Sequence, residues 1–424
     1  LTFQPVHFGL FHRNNRRNTL KHVMTIILAG GVGSRLAPLT DPCTKPAVEV
    51  AAKYRIIDFM MSDCLNSGLH HILVATQYRS HELSKHLSDN WPSNAMHGFF
   101  VRTVPAQQIH GEMWYQGTAN AVYQNLGIIE SEGDFQTVAI LSGDHILAMD
   151  FSQMYDYHRL KKSVFTVCVM PMLTVEASRF GVLEIDADWR IIGFEEKPTS
   201  PKEIPGMPGY SLVSMGNYFA ELAELSQWLT RDAENPGTSH DFGKDIIPGM
   251  LAADVPLYAY NFLTNVIPGQ SEHYWRDVGT IQALHESNMD LVQIKPELNL
   301  YNQEWPIRSA RDNLPPAKFN ETVNRGCRRI QNSVVSGGCI IENAYLRMAV
   351  LGREVRVDGS TVEESVLFTG VVVKDGCHLR RVIVDKGVRI PHNTMIGIDH
   401  EADRARGLTV DDSGIVVVPR GFRF

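Results

Sequence analysis

The sequence has few cysteines, no long apolar run and no excess of positive charge. Its six cysteines among 424 residues are scattered and include no CxxC pair, which excludes a disulfide-stapled module or a clustered zinc site. No apolar run approaches the roughly 20 residues that a membrane-spanning helix needs. The net charge of −7 argues against a general nucleic-acid binder, which carries a basic excess. We therefore expect a cytoplasmic protein that binds neither nucleic acid nor membrane.

Length and composition favour two domains. A chain of 424 residues, 44% hydrophobic and 21% charged, exceeds the roughly 250–300 residues at which a single core stops growing. Residues 1–22 contain arginine and lysine but no acidic residue, which fits a disordered tail or, alternatively, a transit peptide. The predicted division is a tail at 1–22, a large domain at 23–290, a linker at 291–325 and a second domain at 326–424.

Periodicity predicts a different architecture for each domain. Residues 25–29, 72–76 and 138–141 read as strands that alternate with helix-like stretches, the pattern of a parallel sheet covered by helices. After the proline-rich linker, β-branched residues recur every six positions from Val334 to about Ile390, which is typical of a parallel β-helix. A β-sandwich of short strands is the alternative.

A glycine-rich turn follows the first predicted strand. Gly30, Gly31 and Gly33 free the backbone, and Arg35 and Lys45 add two cations, as a loop that wraps a triphosphate requires. The segment has neither the P-loop ending nor the GxGxxG spacing. A purely structural turn is therefore the alternative interpretation.

Several charged residues are candidates for chemistry. Asp144 directly follows the apolar run 138–141, where an ionised carboxylate is costly unless it is paired or bound to metal. Asp277 is a second candidate for the same Mg²⁺ ion, although it could instead pair with an arginine or cap the next helix. Lys197 could bind a substrate phosphate while Glu196 accepts hydroxyl hydrogen bonds, or the pair could form a solvated charged turn.

An ordered set of segments resembles the bacterial ADP-glucose pyrophosphorylases from about residue 24 to near the C-terminus. The resemblance implies an α/β Rossmann-like nucleotidyltransferase domain followed by a left-handed parallel β-helix, usually assembled as a homotetramer and serving glycogen or starch synthesis. The matching segments are LAGGVGSRL at 28–36, KPA at 45–47, YRIIDF at 54–59, WYQGTA at 114–119, SGDH at 142–145, EKP at 196–198 and YWRDVGT at 274–280.

The resemblance implies a single displacement in which glucose 1-phosphate attacks the α-phosphorus of ATP and pyrophosphate leaves. Asp144 and Asp277 look like the Mg²⁺ carboxylates of such an enzyme. Arg35 and Lys45 look like the groups that neutralise the ATP phosphates, and Lys197 looks like the clamp on the sugar phosphate. The positions that match the surroundings of glucose 1-phosphate and nucleotide are Tyr115, Gly181, Glu196 and Ser214.

Departures from the family pattern concern regulation by small-molecule effectors. Family members commonly carry Gly-Gly-Arg-Gly at the loop and basic residues near the Lys-Pro-Ala segment, and this chain does not. The replaced positions are Val32, Pro42, Cys43 and Glu49. The residues that still resemble the effector-binding cluster are Arg55, Lys386 and Arg420.

Three other functions remain open from the sequence. A sister nucleotidyltransferase that makes UDP-, dTDP- or GDP-sugars would share the loop, the aspartates and the Lys-Pro pair, and base choice depends on pocket contacts. A non-catalytic regulatory subunit would have lost a metal carboxylate or the Lys-Pro pair. An acyltransferase is suggested by the hexapeptide repeat alone, and a β-helix can serve purely for assembly.

Overall fold

The computed structural model describes residues 20–93, 99–106, 114–310, 312–320 and 330–424. Residues 1–19 of the predicted tail lie outside these ranges, as does residue 326, the predicted start of the second domain.

The larger part of the chain is built on a mixed β-sheet. The strands in this part are β1 (Val23–Leu28), β2 (Glu49–Val50), β3 (Tyr54–Arg55), β4 (His71–Thr76), β5 (Phe100–Pro105), β6 (Thr137–Ser142), β7 (His145–Leu147), β8 (Phe165–Leu173), β9 (Gly181–Ile185), β10 (Ile191–Glu196), β11 (Tyr210–Glu221), β12 (Leu257–Asn261) and β13 (Trp275–Asp277). Nine of them form one sheet in the order β10-β9-β11-β6-β1-β4-β5, with β8 beside β11 and β12 beside β8.

Helices cover this sheet. They are α1 (Ile56–Ser67), α2 (His81–Asn90), α3 (Thr118–Tyr123), α4 (Leu126–Glu132), α5 (Phe151–Lys161), α6 (Thr174–Ala177), α7 (Leu222–Ala233), α8 (Ile247–Ala252) and α9 (Ile281–Leu291). Short 3₁₀ turns lie at Ser34–Leu36, Lys45–Ala47 and Phe262–Thr264, and a π-helical turn at Phe242–Ile246. Within the described ranges, no helix has both the length and the apolar character that a bilayer crossing requires.

The central strands are largely apolar because both faces of the sheet are covered. Along β1, Ile27 packs into one hydrophobic core, whereas Ile26 packs into the core on the opposite face. This alternation is the two-residue period of a strand. β1 pairs in parallel with both β4 and β6, so the three predicted parallel strands are confirmed, although β1 ends at Leu28 and not at residue 29.

The smaller part of the chain is a three-sided parallel coil. Each strand pairs in parallel with the strand one coil later, so that Leu346 faces Val362, then Leu379, then Ile396, all fully buried. The strands are β14 (Lys318–Asn320), β15 (Ile330–Gln331), β16 (Val334–Val335), β17 (Ile340–Glu342), β18 (Tyr345–Arg347), β19 (Val350–Leu351), β20 (Arg356–Asp358), β21 (Thr361–Glu363), β22 (Val366–Leu367), β23 (Val372–Val373), β24 (His378–Arg380), β25 (Val382–Val384), β26 (Arg389–Ile390), β27 (Met395–Ile396), β28 (Thr409–Val410) and β29 (Val416–Val418), with α10 (His400–Ala405) after β27.

This coil confirms the predicted left-handed β-helix and shows that the β-sandwich alternative is wrong, because the three sheets are built from parallel pairs. The exception among the described pairs of the coil is β28, which runs antiparallel to β29. β14, which lies within the predicted linker, pairs with β17 and so joins the first sheet of the coil.

The segment between the two parts is fastened to α1. Trp305 donates its indole N–H to Asp63 Oδ1 at 2.7 Å, and Ser309 donates its hydroxyl to Asp58 Oδ2 at 2.6 Å. Both aspartates are fully buried, and burial raises the pKa of Asp63 well above its ordinary value. No helix or strand occurs at 292–310 or 312–317, so these hydrogen bonds and the burial of Leu298, Trp305 and Ile307 in the core hold this segment in place.

Candidate active site

The glycine-rich turn after β1 is held open by hydroxyl groups. Gly33 has a φ of 66°, in the left-handed region that favours glycine. Thr40 donates its hydroxyl to the Gly33 carbonyl at 3.0 Å, and the Thr44 hydroxyl lies 3.2 Å from the Gly31 carbonyl. The exposed residues Gly31 and Val32 therefore form a shaped loop at the carboxyl end of the sheet.

Lys45 bridges the two aspartates that the sequence singles out. Its Nζ lies 2.9 Å from Asp144 Oδ2 and 2.9 Å from Asp277 Oδ1. The lysine is almost buried, with 7% of its side chain exposed, whereas 34% of the Asp144 side chain is open. We call these three residues the carboxylate cluster.

Pairing between β7 and β13 brings the two aspartates together across a long stretch of sequence. In this antiparallel pair Asp277 lies opposite His145, the neighbour of Asp144. The alternative roles of Asp277 are filled by other residues: Thr280 caps α9 through its hydroxyl, and Arg276 pairs with Asp290 at 3.1 Å. Asp277 is therefore available to the carboxylate cluster.

Mutual attraction keeps the carboxylate cluster charged. Burial raises the pKa of Asp144, but the Lys45 ammonium and a hydrogen bond from Ser142 outweigh it and hold that pKa well below the ordinary value. Burial likewise lowers the pKa of Lys45, and the two aspartates outweigh it and raise that pKa. Two carboxylates and one ammonium leave one net negative charge, which suits a bound cation.

Arg35 lies on the exposed side of the same region. A Cβ atom placed on Gly279 would lie 3.0 Å from Arg35 Nη2 and 3.1 Å from both carboxylate oxygens of Asp277. The guanidinium therefore borders the carboxylate cluster across Gly279. Arg35 thus lies near Asp277, one of the two aspartates that Lys45 contacts.

The predicted sugar-phosphate residues are brought together by β9 and β10. Gly181 pairs directly with Glu196, and a Cβ atom at Gly181 would lie only 2.4 Å from the Phe194 ring, so no larger residue fits. Lys197 follows with 62% of its side chain exposed, and its Nζ lies 2.8 Å from Glu196 Oε1. A solvent-facing ammonium beside a carboxylate is compatible with phosphate binding and with a solvated turn.

Tyr115 and Ser214 are held in place by different parts of the structure. The Tyr115 hydroxyl donates to the Val104 carbonyl at 3.1 Å, and its backbone N–H donates to Gln77 Oε1 at 2.8 Å. Ser214 is buried where β11 departs from regular pairing, and its hydroxyl accepts a hydrogen bond from Gly216 N at 3.2 Å. Gly30 lies beside Gln77, so Gln77 connects the glycine loop to Tyr115.

Sequence reasoning gave no role to several residues that line the carboxylate cluster. His145 and Trp275 lie beside it, and Ser142 donates its hydroxyl to Asp144 Oδ1. Asn217 accepts the backbone N–H of Ser142 at 3.0 Å and so fixes the end of β6. The position of His145 directly after Asp144 could have indicated that it lies beside the carboxylate cluster, whereas nothing in the sequence points to Asn217.

Arg55, Lys386 and Arg420 meet at the junction of the two parts of the chain. All three surround Glu82: Lys386 Nζ lies 3.4 Å from Glu82 Oε2, Arg55 Nη1 lies 3.7 Å from the same oxygen, and Arg420 donates to Glu82 Oε1. Burial raises the pKa of Glu82, but these cations, Arg420 foremost, outweigh it and lower that pKa to about 2.

Glu49 adds a second carboxylate to this group. It is almost fully buried, lies 3.4 Å from Lys386 Nζ and accepts hydrogen bonds from both the backbone N–H and the hydroxyl of Thr369. We call Glu49, Arg55, Glu82, Lys386 and Arg420 the junction cluster. Cys43 lies nearby, and burial together with Glu82 raises its thiol pKa to about 11.

Two family models match the chain in consecutive segments. Residues 24–294 match the model described as nucleotidyl transferase. Residues 315–418 match the model described as GlmU-like, C-terminal hexapeptide. The first segment contains the complete carboxylate cluster, and the second is the three-sided coil.

Curated relatives match along nearly the whole chain. A glucose-1-phosphate adenylyltransferase from Thermus thermophilus is 47% identical over 410 residues, covering 95% of this chain and 99% of the relative. Proteins of the same name from Aliivibrio fischeri and Deinococcus radiodurans are 46% and 44% identical, each across 95% of this chain and at least 98% of the relative. Identity of this extent covers both parts of the molecule.

Proposed function

The chain belongs to the glucose-1-phosphate adenylyltransferase family, and we propose that it joins ATP and glucose 1-phosphate to give ADP-glucose and pyrophosphate. The observation that carries this proposal is the carboxylate cluster, in which Lys45, Asp144 and Asp277 meet beside a glycine-rich loop at the carboxyl ends of the parallel strands β1 and β6. Ligands of α/β sheets bind at such an edge.

Nucleotidyltransferases of this family generally use a divalent metal, and we assign Mg²⁺ to Asp144 and Asp277. The fit rests on the donor set, since Mg²⁺ takes oxygen ligands and is commonly held by one or two carboxylates together with substrate phosphates. A carboxylate oxygen of Asp144, a carboxylate oxygen of Asp277 and a ring nitrogen of His145 all lie within 4.8 Å of one another. When bound, the ion would supply positive charge to the phosphate oxygens of the nucleotide.

The protein's own part in the reaction is alignment and charge stabilisation. A phosphate oxygen of glucose 1-phosphate forms a bond to the α-phosphorus of ATP, and the bond from that phosphorus to the bridging oxygen breaks, so the electron pair leaves with pyrophosphate. Lys45 and Arg35 border the region where the triphosphate charge would accumulate. Such preorganised cations lower the barrier without a covalent enzyme intermediate.

The sugar phosphate would bind between β9, β10 and β11. Lys197 provides an exposed ammonium for the phosphate, and Glu196 provides oxygens for sugar hydroxyls. Gly181 keeps the floor of this region free of side chain, Ser214 adds a buried hydroxyl, and Tyr115 lies on the nucleotide side near Gly30.

We also propose how the protein assembles, how it is regulated and where it acts. The β-helix would hold the subunits of a homotetramer, and a small anionic effector would act at the junction cluster by competing with Glu49 and Glu82 for its cations. We place the enzyme in the cytoplasm, in glycogen or starch synthesis. All cysteines within the described ranges are free, as expected in a reducing compartment; they are Cys43, Cys64, Cys168, Cys339 and Cys377.

The test is pyrophosphate release by the purified protein with Mg²⁺ and glucose 1-phosphate, with ATP, UTP, dTTP or GTP supplied in parallel. We expect a strong preference for ATP. Preference for another nucleotide would assign a sister activity, and silence with all four would indicate a regulatory subunit. Repeating the ATP assay with sugar phosphates and sugar bisphosphates tests the junction cluster as an effector site.

A further inference from the structure

His145 lies within reach of both metal-site aspartates without an assigned role. Its Nε2 is 3.4 Å from Asp144 Oδ1 and 3.9 Å from Asp277 Oδ1, and the residue is 9% exposed. Two roles are compatible with these distances. The nitrogen could bind the metal directly, or it could carry a hydrogen that orients the carboxylates, and the two roles require different tautomers.

Trp275 selects between the tautomers. Its indole N–H can only donate, and it lies 3.3 Å from His145 Nδ1. The two rings also meet edge to face, with centroids 5.4 Å apart. Phe180 also packs against Trp275, with the ring centroids 5.5 Å apart. Because Nδ1 must keep its lone pair to accept this hydrogen bond, the proton of the neutral imidazole resides on Nε2.

We propose that His145 is a positioning residue for Asp144 and not a metal ligand. Its Nε2 lies 3.4 Å from Oδ1 of Asp144, the oxygen that also accepts from Ser142, whereas Oδ2 of Asp144 faces Lys45. At 3.4 Å this is a polar contact and not a hydrogen bond, so the Nε2–H acts on the carboxylate electrostatically. Trp275 acts indirectly, through His145, by fixing the tautomer of the His145 imidazole.

This inference rests on the proposed function, since it concerns the cation site of that reaction. Residues that contact metal ligands from outside the coordination sphere typically contribute about 10- to 100-fold to metal affinity or activity. We expect a loss of that size for His145→Leu, in both Mn²⁺ affinity and the Mg²⁺ concentration for half-maximal rate. The KM for glucose 1-phosphate should stay unchanged, because Lys197 lies elsewhere. His145→Gln, which retains an N–H donor, should recover most of the affinity.

Trp275→Phe tests the tautomer without removing His145. The substitution keeps an aromatic ring against His145 and Phe180 but deletes the donor, so we expect a smaller loss of Mn²⁺ affinity, about tenfold. Trp305→Phe is the matched control, because its indole N–H also bonds a partner, Asp63, away from the carboxylate cluster. That control should lower thermal stability and leave Mn²⁺ affinity as in the wild type.

Mn²⁺ binding is measured by the electron paramagnetic resonance signal of the free ion as protein is added. Pulsed spectra of the bound ion, in protein with ¹⁵N-labelled histidine, should show no directly bound histidine nitrogen. A directly bound nitrogen that disappears in His145→Gln would overturn the inference, as would wild-type Mn²⁺ affinity in His145→Leu. If His145→Leu does not fold, the His145→Gln and Trp275→Phe variants test the inference in its place. Failure of the proposed function would instead appear in the wild type, as absent pyrophosphate release.

Discussion

The carboxylate cluster and the junction cluster are assembled from the same kinds of side chain, but they leave different charges uncompensated. The carboxylate cluster sets two aspartates against one lysine. The junction cluster sets three cations against Glu49 and Glu82, and Asp385 accepts backbone hydrogen bonds from Lys386 and Arg420 beside them. The carboxylate cluster therefore has one more negative than positive charge, whereas most charges of the junction cluster are paired within that cluster.

This difference indicates what each cluster requires from outside the chain. A net negative group that is partly open to solvent gains from a bound divalent cation. A group whose cations already have carboxylate partners stabilises the contact between the two parts of the chain without a ligand. An anionic effector at the junction must displace a carboxylate, so its affinity depends on how strongly Glu49 and Glu82 are held.

Asp144→Asn should have the largest effect, because it removes the charge excess from the carboxylate cluster. The remaining Lys45–Asp277 pair is neutral, and loss of several kcal/mol of charge stabilisation corresponds to a fall in kcat of at least about a thousandfold. Pyrophosphate release measures the loss, and a circular dichroism melting curve should show an intact fold. Asp188→Asn, at an exposed carboxylate paired with Lys161, is the control. Near-normal turnover in Asp144→Asn would remove Asp144 from the mechanism.

Lys197→Ala should have the next largest effect and should act on substrate binding. A hydrogen bond to a charged group contributes about 1.5–3 kcal/mol, so the KM for glucose 1-phosphate should rise about 10- to 100-fold. The KM for ATP should change little. Lys202→Ala is a matched control, since its side chain is also 62% exposed and also pairs with a glutamate. Equal KM values in the two variants would contradict a phosphate-binding role for Lys197.

Glu82→Gln should have the smallest effect and should act on stability at the junction. The pKa of Glu82 is lowered from 4.5 to about 2, so its stabilisation is complete above pH 4.5 and is lost as the pH falls toward 2. We expect the variant to unfold about 1 kcal/mol more easily in urea at pH 7, as for a solvent-accessible ion pair. The difference from wild type should shrink below pH 4.5. Glu401→Gln, at an exposed glutamate, should show neither effect, and a difference independent of pH would count against the ion pairs.

The spacing of apolar residues predicted the fold because it matches the side chains that each strand or coil buries. The apolar run of β1 belongs to a strand covered on both faces, and the six-residue repeat belongs to a coil whose Leu346 column is buried. Proline-rich composition indicated irregular sequence in the connecting segment. It could not indicate the attachment of that segment to α1, because the hydrogen bonds of Trp305 and Ser309 depend on tertiary placement.

The candidate site was predictable as a list of residue types but not as an arrangement. Asp144 carried a signal because a carboxylate at the end of a buried strand needs a partner. Its meeting with Asp277 depends on the β7–β13 pair, which joins segments about 130 residues apart. The position of Lys45 between the two aspartates, and of Glu82 among three cations, follows from packing that no local spacing records.

The antiparallel strand β28 has a consequence for polymerisation. An open end of a parallel coil presents unpaired backbone groups, on which a further parallel strand of another molecule can add. On the sheet that contains β25 and β29, β28 covers the outer edge in the opposite direction. The next molecule would therefore meet a reversed strand of only two residues, Thr409–Val410. A short reversed edge strand of this kind disfavours end-to-end growth of β-helices along that face.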